Sequence, residues 1–285
     1  MNSLFNYTTL STRLEKSTRT LFITLNRADW GNAFRTEMLF ELESILAWCT
    51  SRIEINSIFI DSSTPYFSQG LEVEKLSEMT PASLDKINSK LSKLVYSMMQ
   101  LPQTVIVDLG EGSQLFASEF ALGADIRLCS VNSAVRFNHA HYGLVPASGG
   151  MSFLSTLINP AKARHWVMGG QAITSQELVS TGFVAQTYDS TTRTQVVSDL
   201  LNSIVKQAPV QRIQAKLGLF ETIRPNLEAG LAMDKKIAKA SMVSQDWKAR
   251  SEKVDTFDFM PAKSMSYSVK LSLIKNDEVP QHPEQ

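Results

Sequence analysis

The chain has 285 residues, 43% of them hydrophobic and 20% charged, with 28 Lys+Arg balanced by 28 Asp+Glu. Length and composition suit an ordinary globular protein with one large core, or a core carrying a helical appendage. The even charge excludes bulk attraction to nucleic acid or an anionic membrane and leaves room only for a local basic pocket around a phosphate-bearing ligand.

Residues 8–14 and 20–25 are rich in β-formers around Lys16-Ser17-Thr18, which predicts a hairpin. Residues 36–50 place Met38, Leu42, Ile45, Leu46 and Cys49 on one helical face. A short apolar strand follows at 55–61. Residues 82–100 carry Leu84, Ile87, Leu91, Leu94, Val95 and Met98 on one stripe and predict a long helix. A buried strand is expected at 104–108, a helix at 115–124, and strands at 126–129 and 135–137. Residues 148–158, 161–168 and 175–180 read as helices, and 183–186 as a strand. Helices are expected at 191–207 and 210–222, punctuated by Pro209, with a further helical region from Pro225 to about Arg250. Strands alternating with helices in this way predict stacked β-β-α units with helices outside. Near the end, Met265, Tyr267, Val269, Leu271 and Leu273 alternate like one face of a strand. That strand either closes on its own domain or adds to a partner's sheet. The last dozen residues read as disordered.

Cys49 and Cys129 lie in apolar segments and read as buried thiols of a reducing compartment. No apolar run approaches the ~20 residues of a membrane span. The first sixteen residues lack the apolar core of a signal peptide, so cytoplasm is the expected location. No phosphate-loop, zinc-protease, paired C-x-x-C or nucleophile-elbow pattern occurs. Gly110-Glu111-Gly112 reads as a turn, His165 as structural and His282 as solvated. No cluster has metal-ligand spacing, so no metal is expected.

Several segments carry a resemblance, in order along the chain. They are Leu25-Asn26-Arg27 through Asn32-Ala33; Phe67-Ser68-Gln69-Gly70-Leu71-Glu72; the strand around 101–107; Ala124-Asp125-Ile126; Gly143-Leu144-Val145-Pro146 through Gly149-Gly150; and Gly169-Gly170 with Ile173, Glu177, Gly182 and Val184. Together, over residues 8–207, they resemble the enoyl-CoA hydratase/isomerase (crotonase) family, of which this chain looks like a divergent member. The resemblance implies an α/β fold, the crotonase (ClpP-like) spiral of β-β-α units. It implies a core domain at 1–207, a C-terminal helical trimerisation region at 208–262 and an extra tail at 263–285. It further implies a homotrimer, or a hexamer built as a dimer of trimers. Its ligand is an acyl-CoA thioester, with coenzyme A as part of the substrate and no other cofactor.

In such a site two backbone N–H groups stabilise the enolate-like oxygen of the thioester. By resemblance these belong to Ser68 and Phe116, the second at a helix N-terminus whose dipole adds to the effect. Gln69, Gly70 and Leu71 would flank the substrate, and Arg27 would approach a coenzyme A phosphate. Glu119 and His139 take the positions of the family's two catalytic glutamates. The sequence departs from the family twice. Leu115-Phe116-Ala117 replaces a run of glycines, and Phe116 is expected to crowd the acyl pocket. His139 replaces an acid, although an imidazole can also exchange a proton near neutral pH. Asn138, in place of the family's usual proline, is within reach of a ligand, and His141 reads as structural or at the pocket rim. Without the resemblance, Glu119 would read as a solvated side chain on an amphipathic helix.

The functional expectation is an enoyl-CoA hydratase/isomerase-like enzyme. In a hydratase, Glu119 would activate water and His139 would supply a proton; in an isomerase or decarboxylase, one group would move a proton. Two alternatives stay open: a catalytically inactive binding or scaffold protein, and a CoA-independent carbon–carbon bond hydrolase of the same fold.

Overall fold

The computed structural model describes residues 5–251. In chain order the strands and α-helices are β1 (Leu10–Glu15), β2 (Thr20–Leu25), α1 (Thr36–Cys49), β3 (Ser57–Ser62), α2 (Pro81–Gln100), β4 (Thr104–Asp108), β5 (Gly112–Gln114), α3 (Phe116–Phe120), β6 (Ile126–Ser130), β7 (Ala134–Arg136), α4 (Leu154–Leu157), α5 (Pro160–Gly169), β8 (Ile173–Thr174), α6 (Ser175–Ser180), β9 (Gln186–Tyr188), α7 (Arg193–Val205), α8 (Pro209–Ser241) and α9 (Asp246–Ser251).

β1 and β2 form the expected antiparallel hairpin, with Leu14 opposite Leu21. β2, β3, β4, β6 and β9 then pair in parallel, giving a six-stranded sheet of order β1-β2-β3-β4-β6-β9. A second, three-stranded sheet has the order β5-β7-β8. Isolated bridges continue it towards the N-terminus: Ser68 pairs with Ser113, and Phe34 with Leu71. Each turn of the spiral therefore places one segment in the large sheet and the next in the small one. That repetition stacks the 68–71 loop, the β5–α3 junction and the segment after β7 side by side.

Period-two alternation divides each large-sheet strand between two cores. On β3, Ile58 and Ile60 face α1 and α2, while Phe59 packs with Val197, Leu201 and Ile204 of α7 on the other side. α2 is set by its N-terminus. Thr80 accepts from the Ser83 N–H in a capping box, and Pro81 occupies the first helical position. The whole predicted stripe from Leu84 to Met98 is buried. Burying one such side chain stabilises the fold by ~1.5–3 kcal/mol. Cys49 and Cys129 are free and buried, and burial pushes both thiols up to about 12.

The structure differs from the sequence expectations at several points. Residues 148–158 hold only the short α4, because the N–H groups of Ser148, Gly149, Gly150 and Ser152 bond to side-chain carboxylates and not to helical carbonyls. The expected strand at 183–186 forms later, as β9, where the backbone meets β6. Residues 139–142, outside any expected element, form a 3₁₀ turn that carries His139 and His141. Pro225 does not begin a helix but lies inside the 33-residue α8. Tertiary ties on both sides hold that helix across the proline. Lys216 reaches Met98 O, Gln103 O and Asp125, Phe220 stacks edge-on to Tyr96, and Tyr96 donates to Glu228. The alternating segment at 265–273 lies outside the described residues. Among the described residues, no helix is long and apolar enough to cross a membrane.

Candidate active site

The 68–71 loop is fixed first. Asn32, at φ 51°, accepts the Arg27 N–H on its side-chain oxygen at 2.6 Å. Its carbonyl accepts from the Ser68 hydroxyl at 2.7 Å, and that hydroxyl in turn accepts the Gly70 N–H at 2.9 Å. Gly70 has φ 83°. A Cβ there would lie 2.3 Å from Gln114 O, 2.8 Å from Leu115 Cβ and 3.0 Å from Phe116 N. Only glycine permits this approach. The loop therefore rests directly on the backbone amide of Phe116, and the Gln114 N–H donates to Ser68 O at 3.2 Å.

The other wall is the β5–α3 junction. Leu115 caps α3 with φ 51° and ψ −130°, a conformation usually left to glycine. The chain keeps a glycine-type backbone turn with a leucine in it. Such a residue persists where its surroundings over-determine it; here Leu115 is fully buried in the core. One turn into α3, Glu119 points into the protein interior and is 0% exposed.

The carboxylate of Glu119 is held on three sides. Its Oε1 accepts from the Ser148 N–H at 2.7 Å and from the Gly150 N–H at 3.1 Å. Its Oε2 lies 3.1 Å from His139 Nε2. Gly150 packs so closely that a Cβ would stand 3.0 Å from Glu119 Oε1. His139 is also 0% exposed, and its Nδ1 has no hydrogen-bond partner among the described residues. The Phe116 ring lies against the imidazole, with centroids 5.8 Å apart and planes tilted by 36°. α9 packs over both the 3₁₀ turn Val73–Glu78 and the 3₁₀ turn His139–Tyr142.

Asp234 of α8 is a residue that sequence reasoning missed. Its Oδ2 accepts from the Gly149 N–H at 3.1 Å, the Ser152 N–H at 3.3 Å and the Ser152 hydroxyl at 2.8 Å. Consecutive amides of residues 148–150 thus alternate between two carboxylates, Glu119 and Asp234. Burial pushes the Asp234 carboxyl up to about 6, and the nearby charge of Glu119 adds to the rise. The only sequence signal was position, because Leu227, Leu231, Asp234 and Ala238 share the buried stripe of α8.

The remaining candidates occupy defined places. Asn138 donates to Gln114 Oε1 at 3.1 Å. Arg27 is buried and bonds Glu72 at 2.6 Å and Ala33 O at 2.7 Å. Gln69 donates to Trp30 O at 3.0 Å, and Leu71 is buried. Asp125 accepts the Val105 N–H at 2.7 Å and pairs with Lys216. His165 bonds Gln171 on the surface of α5. No group of three or more His, Cys, Asp or Glu among the described residues is placed to hold a metal ion.

A two-sheet spiral of this connectivity, with a C-terminal helical region, is the crotonase fold. The chain belongs to the enoyl-CoA hydratase/isomerase family, whose model matches residues 15–258. It is 23% identical over 245 residues to the 2,3-dehydroadipyl-CoA hydratase of Escherichia coli (strain K12), covering 86% of this chain and 94% of that one. It is 22% identical over 237 residues to the short-chain-enoyl-CoA hydratase of Clostridium acetobutylicum, covering 82% and 90%. Its structure resembles the crystal structure of enoyl-CoA hydratase from Bacillus halodurans, with TM-score 0.80 at 18% identity, over 87% of this chain and 100% of that one.

Proposed function

We propose that the chain is an acyl-CoA enzyme that stabilises a thioester enolate. The N–H groups of Ser68 and Phe116 receive the carbonyl oxygen, Gln69, Gly70 and Leu71 flank the acyl group, and Glu119 and His139 handle the proton. Loss of one such donor typically costs ~3–4 kcal/mol of transition-state stabilisation. Arg27 meets a coenzyme A phosphate only by giving up Glu72. Coenzyme A enters as part of the substrate, and no separate cofactor is proposed. The 208–262 region would join copies into a homotrimer, or a hexamer of two trimers, in the cytoplasm.

The observation that carries this reading is the contact of Gly70 with the Phe116 amide, beside the buried Glu119–His139 pair. It supports a backbone cradle preserved although Leu115 stands where the family has glycine. Relatives named as hydratases of dehydroadipyl-CoA and of short-chain enoyl-CoA support the substrate class. The test is absorbance of the conjugated thioester. Purified protein is mixed with crotonyl-CoA, where hydration lowers the signal, and with 3-butenoyl-CoA, where isomerisation raises it. A change in either, lost in Glu119→Gln and His139→Ala, supports acyl-CoA chemistry.

One observation favours a second reading, a non-catalytic binding or scaffold protein. Phe116, Glu119 and His139 are all buried, and the Phe116 ring lies beside the imidazole. No absorbance change, with no protection by coenzyme A against thermal unfolding, supports that reading or the CoA-independent carbon–carbon hydrolase.

A further inference from the structure

Glu119 has little acceptor capacity left. Two backbone N–H groups occupy Oε1, and His139 Nε2 faces Oε2. The donors on Oε1 are themselves fixed, because Asp234 holds the intervening Gly149 and Ser152. A water could reach Glu119 only at the second lone pair of Oε2, on a side chain that is 0% exposed and already faces His139. His139 is the opposite case. Its Nε2 is engaged, while its Nδ1 is buried and unpartnered among the described residues. Buried polar atoms in native proteins are nearly always paired, so an orphan inside a candidate site calls for an explanation. A carboxylate acceptor at one ring nitrogen places the proton there and leaves a lone pair on the other.

We propose that His139, through Nδ1, is the single acid–base group of this site, and that Glu119 is a positioning residue that holds the imidazole with its proton on Nε2. The proposal deepens the acyl-CoA reading and rests on it for the substrate; the protonation of the ring does not depend on it. One base of this kind suits a proton shuttle within a 3-enoyl thioester. Nδ1 takes a proton from C2, breaking that C–H bond. The electron pair moves into C1–C2 and the carbonyl becomes an enolate, the oxygen resting on the Ser68 and Phe116 amides. The imidazolium then returns the proton to C4. The double bond moves from C3–C4 to C2–C3, the carbonyl re-forms, and no co-reactant is consumed. Hydration, which needs a second group to hold water, would be the slower reaction.

Substitution of Glu119 by glutamine gives the sharpest signature. The side-chain oxygen stays with the Ser148 and Gly150 amides, so the NH₂ group faces His139 and donates to Nε2. The ring proton must then move to Nδ1, blocking the base. Nitrogen-15 spectra of histidine-labelled protein near neutral pH read this directly. The expected result is Nε2–H with a bare Nδ1 in the wild type, inverted in Glu119→Gln. A wild-type ring protonated on Nδ1, alone or together with Nε2, overturns the proposal. A second arm incubates 3-butenoyl-CoA in deuterated water. Label should appear at C2 and C4 with the wild type and fall at least about 100-fold in His139→Gln, the usual scale for loss of a general base. Exchange that survives His139→Gln overturns the base assignment and leaves acyl-CoA chemistry standing. The expected ring protonation with no wild-type exchange overturns the acyl-CoA reading, and the catalytic role of His139 with it.

Discussion

Gly70 and Phe116 touch through their backbones: a methyl group on Gly70 would stand 3.0 Å from Phe116 N and 2.3 Å from Gln114 O. The contact also needs φ 83° at Gly70, which an L side chain resists. Gly70→Ala is therefore expected to destabilise the fold by about 2–4 kcal/mol, combining overpacking with backbone strain. Urea unfolding measures that cost. A variant of wild-type stability would show that the two segments are not in contact.

Leu115 makes a prediction of sign. Its φ of 51° is strained for leucine, at roughly 1–2 kcal/mol, while its side chain is fully buried. Leu115→Ala loses the packing and keeps the strain, at about 2–5 kcal/mol. Leu115→Gly loses the same packing and releases the strain. Glycine is expected to be the more stable of the two variants by about 1 kcal/mol, reversing its usual rank against alanine. Parallel denaturant titrations decide it, and alanine being the more stable would place Leu115 in an ordinary backbone conformation.

Asp234 predicts a pH dependence. Burial, then the charge of Glu119, raises its carboxyl to about 6 in the folded state. A carboxyl raised above its unfolded value of ~3.9 favours folding while protonated, and that contribution is lost as pH rises through about 6. The loss is roughly 3 kcal/mol at most. All three donors go to one oxygen, so Asp234→Asn can keep them with an amide. Relative to wild type, Asp234→Asn is expected to gain stability as pH rises between about 4 and 7. A stability difference independent of pH over that window contradicts the assignment.

Arg27 and Glu72 form a buried pair at 2.6 Å. Burial alone would raise the Glu72 carboxyl, but bonds from Arg27 and Lys75 outweigh it and hold the group below its ordinary value. Their stabilisation is present above the unfolded pKa and is lost as pH falls through the depressed folded one. Arg27→Gln leaves Glu72 with Lys75 and is expected to cost about 3 kcal/mol at neutral pH, less in acid, where Glu72 protonates. Unfolding at two pH values measures this, and a cost equal at both would mean that the pair is not the source.

Five of the six large-sheet strands were legible as a β-rich hairpin or as short apolar runs, and α2 by its helical period, which Leu84 to Met98 follow. β5 was missed because Gly112-Ser113-Gln114 holds no apolar or β-branched residue, and β8 because it has only two residues. Residues 148–152 misled for a chemical reason. They look helical, yet the amides of Ser148, Gly149, Gly150 and Ser152 serve Glu119 and Asp234, which for Ser148 and Ser152 lie 29 and 82 residues away in the chain. Asp234 itself, beside Lys235 and Lys236, looks like a solvated charge until the stripe of α8 is known to be buried. The pairing of Glu119 with His139 was visible only through resemblance, since nothing local links positions 119 and 139.

The central claim is that the Ser68 and Phe116 amides hold an enolate oxygen, and acetoacetyl-CoA tests it most directly. This thioester enolises readily, and its enolate has its own absorbance. Mixing it with the wild-type protein should produce the enolate band at a pH where the free compound shows little, and Gly70→Ala should abolish the band while Asp125→Asn, remote from the loop, retains it. A spectrum that stays the simple sum of protein and ligand, at concentrations where calorimetry shows the ligand bound, would contradict the account.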